Sequence, residues 1–403
     1  MTAQDDNINL VMKAFRFQAR PRPKQLAAFR RYSGCARYAW NWTVALCKKE
    51  WEEAKANAPE GEKPKSSGIN RGRLYKEFCK HRDSEATWLR EVHSHVYSYP
   101  IERVVKSYKM WWQALKRGQR GGPPRFKPRG VHDSFSIQLV RWKLRRNAIH
   151  VPTIGWVEVW PRVEIPATAK PCTVTVSRVA DRWYISIAAK NVPLEQWEAG
   201  QDVVGIDLGV NSVVTMSNGA QIEPPQIYQR ALKRLVWRQR KLSRKRKGSA
   251  NRQKAKMSVA RAHAKAATER NNFCHQLTSQ IIKRAKVIVI EGFDVTDLVS
   301  RGVEKEMKGK RKRKRRQTIL DHAWGEIRRQ LEYKAKWHGR EILICDKYEK
   351  TDKPCHYCGH VNDIPANTSE YHCVNCALET TRQLNTALLL ESYGRGGDQE
   401  AAQ

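Results

Sequence analysis

VVGIDLGVNSVVTMSNG, residues 203–219, reads as two apolar strands folded around a tight glycine turn. Val203, Val204 and Ile206 form the near-continuous apolar run of a strand buried on both faces. Asp207 leaves the end of that run beside Leu208-Gly209, where a glycine lets the backbone turn and approach a ligand closely. A second run, KVIVIEG (286–292), ends on Glu291 in the same manner. Acids at the ends of two buried strands form the core of a two-metal phosphodiester site, with Mg²⁺ held between carboxylates and a substrate phosphate. Strand-end acids also serve as backbone caps and as partners for arginine, so the pair carries more weight than either member.

Downstream, Cys355-His-Tyr-Cys358 and Cys373-Val-Asn-Cys376 are separated by 14 residues. Two thiolate pairs on two knuckles close a tetrahedron around zinc, leave no open position, and so hold structure without catalysing. The other cysteines, Cys35, Cys47, Cys79, Cys172, Cys274 and Cys345, are scattered in apolar or helical contexts. Reduced thiols beside one metal site point to the cytoplasm. The polar opening MTAQDDNINL carries no secretory signal pattern, and no run of 18 apolar residues occurs, so a membrane span is not expected.

Upstream, VMKAFRF (11–17) alternates as a strand. A helix is expected from about Lys24, with Leu26, Phe29, Ser33, Ala36, Trp40, Thr43 and Cys47 on one face. Helical patterns return at Tyr75–Lys80 and from Val96 to Leu115. From Ser134 to Ala189 the period becomes two, as in a small β-barrel or sandwich that the first strand joins. Residues 227–284 read as long basic helices broken near KGSAN, and 320–339 as an amphipathic helix stopped by Gly339. The architecture expected is mixed α+β: a helical insertion in a β-barrel, then an α/β domain with an inserted metal ribbon.

Lys and Arg number 76 against 40 Asp and Glu, a formal charge of +36. Such an excess repels itself without a polyanion and draws phosphate over long range. The candidate contacts are Arg125, Phe126, Lys127 and Arg129 in PPRFKPRG, then Lys233, Arg234, Arg240, Arg244, Lys245, Arg246 and Lys247. Arg311, Lys312 and Arg313 add to them from the run KGKRKRKRRQ (308–317). Contacts of this kind give affinity without sequence specificity. Solvated basic faces are the alternative.

The order of these motifs resembles the transposon-encoded TnpB (OrfB) proteins, apparent ancestors of the compact type V CRISPR effectors, over nearly the whole chain. FRFQARPRPKQLAAFRRYSGCARYAWNWTVAL, GGPPRFKPRG, GIDLGVNSVVTMSNG, VIVIEGFDV and the run AWGEIRRQLEYKAKWHGREILICDKYEKTDKPCHYCG carry the resemblance. It implies a wedge β-barrel in two parts (1–20 and 121–196) with a helical recognition lobe (21–120) inserted between them. An RNase H-like RuvC domain (197–349, completed by a last helix at 378–395), a zinc ribbon (350–377) and a disordered tail (396–403) would follow. It also implies a guide RNA, and double-stranded target DNA read through base pairing and a short flanking motif.

Asp207 and Glu291 match the first two RuvC acids. The third is expected in Cys-Gly-x-x-x-Asp-Arg-Asp-x-Asn-Ala, where this chain has Cys376-Ala-Leu-Glu-Thr-Thr-Arg-Gln-Leu-Asn-Thr386. Arg382 and Asn385 are kept, whereas Thr381 and Gln383 replace both aspartates, Gln383 at the catalytic position. A neutral amide is a poor substitute for a Mg²⁺-binding carboxylate, so Mg²⁺ is expected to bind weakly or not at all. Glu379 would lie one helical turn before Gln383 if the helix starts early, and would then offer a replacement acid. The expectation is an RNA-guided DNA binder that represses by occupying DNA. An active Mg²⁺-dependent RNA-guided endonuclease and a guide-independent zinc-ribbon regulator are the alternatives.

Overall fold

The computed structural model describes residues 10–57, 68–119, 121–131, 133–139, 143–194, 197–198, 200–209, 212–223, 227–292, 323–345, 353–364 and 368–400. Two compact units form, one from Leu10–Pro193 and the other from the chain beyond Leu194. Both mix helices with sheet.

In the first unit β1 (Leu10–Arg20) runs antiparallel to β7 (Arg182–Pro193) on one side and to β5 (Gly155–Trp160) on the other. With β2 (Ser134–Gln138), β3 (Leu144–Arg145), β4 (Ala148–Val151) and β6 (Lys170–Val179) they make a seven-stranded sheet, ordered β2-β6-β7-β1-β5-β4-β3. Between β1 and β2 the chain forms helices α1 (Pro23–Ala56), α2 (Arg71–Ser84) and α3 (His95–Lys116). Pro23 suits the first turn of α1, where its missing N–H costs nothing. The Gln25 carboxamide accepts a hydrogen bond from the Arg22 N–H at 3.0 Å, which closes the cap. The apolar stripe of α1 lies on the sheet: Phe29 meets Trp183 at 5.2 Å between ring centroids, and Tyr32 meets Phe135 edge-on at 5.3 Å.

The second unit is built on a five-stranded sheet ordered β10-β9-β8-β11-β12. Its strands are β8 (Gln201–Asp207), β9 (Val214–Met216), β10 (Gln221–Ile222), β11 (Ala285–Glu291) and β12 (Glu341–Cys345). Three neighbouring strands, β8, β11 and β12, are parallel, and β9 and β10 add antiparallel on the other side of β8. Helix α4 (Ile227–Ser243) leads to α5 (Ala250–Arg284), whose N-terminus is capped by Ser249. Helix α6 (Trp324–Trp337) ends before Gly339, which takes the left-handed conformation at φ 59°. A two-stranded hairpin, β13 (Glu370–His372) with β14 (Glu379–Thr381), precedes the last helix α7 (Arg382–Glu400).

The central strands are covered on both faces, which explains their near-continuous hydrophobicity. Val204, Ile206, Ile288 and Ile290 pack with Leu277, Ile281, Ile327 and Leu331, residues of α5 and α6. Val203 and Val289 pack with Leu390 of α7. On that second face α7 comes close enough to exclude a side chain at Gly205. A Cβ there would collide with the Ala387 carbonyl oxygen and lie 2.5 Å from the Glu391 nitrogen. One turn further along α7, a Cβ on Gly394 would fall 2.6 Å from Val289 Cγ2 and 2.7 Å from Val203 Cγ1.

Lys334 of α6 is buried and donates to the His275 carbonyl, Thr278 Oγ1 and Ser279 Oγ of α5 at 2.7–2.8 Å. Burial pushes its amine down to about 8. Two sequence expectations change. Helix α7 continues to Glu400, where a tail was expected from 396; the Glu391–Arg395 pair at i,i+4 supports its last turns. Glu379 is in a strand, because the helix begins only at Arg382. The basic run 308–317 lies outside the described residues.

Gly205→Ala should destabilise the second unit by about 3 kcal/mol or prevent its folding, since the opposing atoms are backbone and cannot yield. Thermal denaturation beside wild type checks this. A wild-type melting temperature would contradict the close packing.

Candidate functional site

Asp207 and Glu291 close two neighbouring parallel strands. Ile290 stands opposite Ile206, so the next step in register sets Glu291 opposite Asp207. Adjacent strands lie about 4.8 Å apart, so the two carboxylates share one edge of the sheet. Asp207 is buried and Glu291 half-buried. Cys345 of β12 stands opposite Glu291 on the other side.

Residue 383 reaches the same edge from α7. A Cβ on Gly209 would collide with the Gln383 amide nitrogen Nε2 and would lie 3.3 Å from Asp207 Oδ2. The amide nitrogen and the carboxylate are therefore neighbours. The Gln383 carbonyl Oε1 is also held, accepting from Ser212 Oγ at 2.9 Å. Ser212 Oγ in turn lies 2.7 Å from Thr215 Oγ1. The amide is thus anchored through its carbonyl at the start of β9, with its nitrogen near the Asp207–Gly209 turn. Ser212 and Thr215 were not singled out from the sequence, because nothing in GVNSVVT distinguishes a hydroxyl that faces α7 from one that faces solvent.

Glu379 does not join this group. It stands opposite His372 in the hairpin, is exposed, and its carboxylate lies 3.5 Å from His372 Nδ1. Glu391 pairs with Arg395.

The four cysteines Cys355, Cys358, Cys373 and Cys376 converge, with their Sγ atoms all within 4.8 Å of one another. Cys355 and Cys376 are 3.7 Å apart and Cys358 and Cys373 3.6 Å apart. Four thiolates at about 2.3 Å from a zinc ion would be separated by about 3.8 Å, so the donor set fits that ion. Each pair sits on a tight knuckle followed by a left-handed residue, Gly359 at φ 72° and Ala377 at φ 53°. Gly359 adopts that conformation freely, whereas Ala377 carries a Cβ penalty of roughly 1 kcal/mol.

Asn385 joins this cluster to α7. It is fully buried. Its Oδ1 accepts from the His356 backbone N–H at 3.0 Å and faces His356 Nδ1 at 2.9 Å. Its Nδ2 donates to the Pro354 carbonyl at 2.8 Å. The first knuckle is thereby fixed to the helical turn that carries Gln383.

The basic candidates differ in environment. Arg125, Phe126 and Arg129 are exposed. Lys127 is half-buried with its amine 3.6 Å from the Trp40 ring centroid, and burial pushes its pKa down, so this lysine is partly committed to packing. Lys233, Arg234, Arg240, Arg244, Lys245, Arg246 and Lys247 are exposed along α4 and the turn after it. Arg311, Lys312 and Arg313 lie outside the described residues. No helix among the described residues is long and apolar enough to cross a membrane.

Comparison with known proteins gives three matching family models: "Probable transposase" over residues 172–302, "Cas12f1-like, TNB domain" over 324–390, and "Helix-turn-helix domain" over 11–56. The last of these covers a strand and a single long helix here, β1 and α1. A Streptomyces pristinaespiralis protein named "Putative RNA-guided DNA endonuclease" is 31% identical over 94% of this chain and 88% of its own. "Putative RNA-guided DNA endonuclease InsQ" of Escherichia coli is 30% identical over 90% of this chain and 87% of its own. Among solved structures, the protein chain of a Cas12f1–sgRNA–target DNA complex superposes with a TM-score of 0.55 at 12% identity, over 95% of this chain and 99% of that one. That likeness is one of fold.

Asn385→Ala should cost about 1–3 kcal/mol, since it strips the His356 N–H and the Pro354 carbonyl of their partner. Hydrogen exchange at the His356 amide should accelerate at least tenfold. Unchanged protection there would show that Asn385 does not hold the knuckle.

Proposed function

This chain belongs to the TnpB (OrfB) family, and from that premise we propose that it is an RNA-guided DNA-binding protein whose RuvC-type site does not cut. The seven-stranded sheet is its wedge, the three helices between β1 and β2 its recognition lobe, and the five-stranded sheet its RuvC domain. A guide RNA supplies sequence by base pairing, and the protein reads a short flanking motif in duplex DNA. The names of the relatives support the RNA-guided part of this reading. The loss of cleavage is a departure from those names.

One observation carries that departure: the Gln383 amide occupies the place beside Asp207 where a third carboxylate would complete the cation site. Two-metal hydrolysis of a phosphodiester relies on anionic ligands to hold Mg²⁺ against substrate phosphate. Asp207 and Glu291 would be the residues holding a cation here. Gln383 adds no charge, and its amide nitrogen lies near the carboxylate that a cation would otherwise engage. A neutral group thus stands at one vertex of the site. An R-loop needs no cleavage to persist, because the heteroduplex replaces a DNA duplex of similar stability. Retained on a promoter, it would repress transcription by steric block.

The zinc cluster serves position. We assign Cys355, Cys358, Cys373 and Cys376 as its ligands, and the ion would close the two knuckles that Asn385 ties to α7.

Two experiments follow. With the RNA that co-purifies from the native host, wild-type protein should shift guide-matched DNA and leave a guide-matched plasmid uncut across a Mg²⁺ titration. Gln383→Asp should produce linear plasmid. Linear product from wild type would instead support an active endonuclease whose site another acid completes. Elemental analysis should find one zinc per chain, lost in Cys373→Ser. A zinc-free wild type that melts at the same temperature would remove the metal assignment.

A further inference from the structure

We infer, resting on the nucleic-acid-binding reading above, that a cleft in the first unit receives a single unstacked nucleotide, its phosphate against α1 at Gly34 and its base against Trp88 and Phe126. The cleft has a volume of about 560 Å³, within the range of about 300–1,000 Å³ usual for small-ligand sites. Its floor is α1, from Arg31 to Ala45, and its rims are the 3-10 turn Thr87–Glu91 and the PPRFKPRG segment.

The aromatic rims are exposed yet held in place. Trp88 is 45% and Phe126 53% exposed, a costly state for rings beside a well-packed core. Trp88 meets Tyr38 edge-on at 5.3 Å, and the Tyr38 hydroxyl is fixed 2.7 Å from His81 Nε2. Phe126 sits between two gripped peptides. Trp40 Nε1 donates to the Arg125 carbonyl at 2.9 Å, and Asn41 both donates to the Lys127 carbonyl and accepts from its N–H. Rings held open by such bonds lose little entropy when a base stacks on them.

The floor carries a residue the fold does not require. Gly34 lies inside a 34-residue helix, where glycine costs about 1 kcal/mol relative to alanine. A Cβ there would meet only Arg37 Nη2, at 3.9 Å, so packing within the protein does not demand its absence. The space it leaves belongs to the cleft and brings the helix surface within reach of a bulky group.

Charge selects the ligand. Arg31 and Arg37 flank Gly34 one turn away on either side, and Arg37 Nη2 is the group aimed at it. Arg37 Nη1 bonds Asp133 at 3.3 Å, but Asp133 is shared with Arg178 at 2.7 Å. Arg31 pairs with Glu91 in an exposed contact that water screens. Three guanidinium groups thus face two carboxylates, and the remaining positive charge suits a phosphate. Aromatic faces beside a phosphate site, joined by a helix surface stripped of its side chain, match one nucleotide that has left its stack. A continuous duplex would present no free base face.

The test uses the full-length protein and two probes, single-stranded DNA and RNA decamers carrying a central 2-aminopurine. Wild type should quench the fluorophore of at least one probe, and the arm that responds identifies the strand type. Trp88→Ala and Phe126→Ala should each weaken binding and quenching at least fivefold. Gly34→Leu should weaken them at least tenfold with an unchanged melting temperature. Gly34→Ala should raise the melting temperature while weakening binding, opposite signs that a purely structural glycine would not give. Wild-type affinity in all four variants would overturn the cleft and leave the nucleic-acid-binding reading standing. Failure of wild type to bind either probe would overturn that reading and this inference with it.

Discussion

The second unit depends on a contact between two backbones, the strand at Gly205 and the helix at Ala387–Glu391. No side chain fits between them, so α7 is pressed to the sheet in one register. That register fixes where residue 383, one turn before Ala387, meets Asp207. It also fixes the four-cysteine cluster, since Asn385 on the same turn grips the first knuckle. Core packing, the Asp207 edge and the four-cysteine cluster therefore share one rigid element. A shift in α7 would disturb all three, whereas a change in the side chain at 383 alters only the chemistry.

This separation would let a site of the proposed kind lose its reaction without losing its fold. Gln383 is nearly isosteric with an extended carboxylate side chain, and its carbonyl accepts from Ser212 while its nitrogen lies near the Asp207–Gly209 turn. A half-buried amide held in this way costs little. An unneutralised third carboxylate beside Asp207 and Glu291 would instead need a cation to offset repulsion. The apo fold should thus tolerate the amide at least as well as the acid, while phosphate chemistry suffers.

Much of this was legible from the chain because hydrophobic period and turn chemistry agree locally. The strands ending on Asp207 and Glu291, the break between α4 and α5, and the glycine stop after α6 all follow from short-range pattern. What escaped depends on partners distant in sequence. Lys334 reads as one more surface lysine of an amphipathic helix, and only the facing oxygens of α5 make it a buried one. Glu379 looks one helical turn from Gln383 on paper, but pairing with His372 draws it into a strand. Gly34 and Gly205 look alike as letters. One is required by a helix against its back, and the other faces open space. The lysine of PPRFKPRG reads as a free charge, yet its amine lies over Trp40.

The central claim concerns charge at a single vertex, so cation binding tests it most directly. Mn²⁺ can be titrated into the zinc-loaded protein, wild type beside Gln383→Asp, with bound ion followed by electron paramagnetic resonance. The account predicts no coupled pair of Mn²⁺ ions in wild type and a spin-coupled pair in the aspartate variant. A spin-coupled pair in the wild-type protein would contradict it.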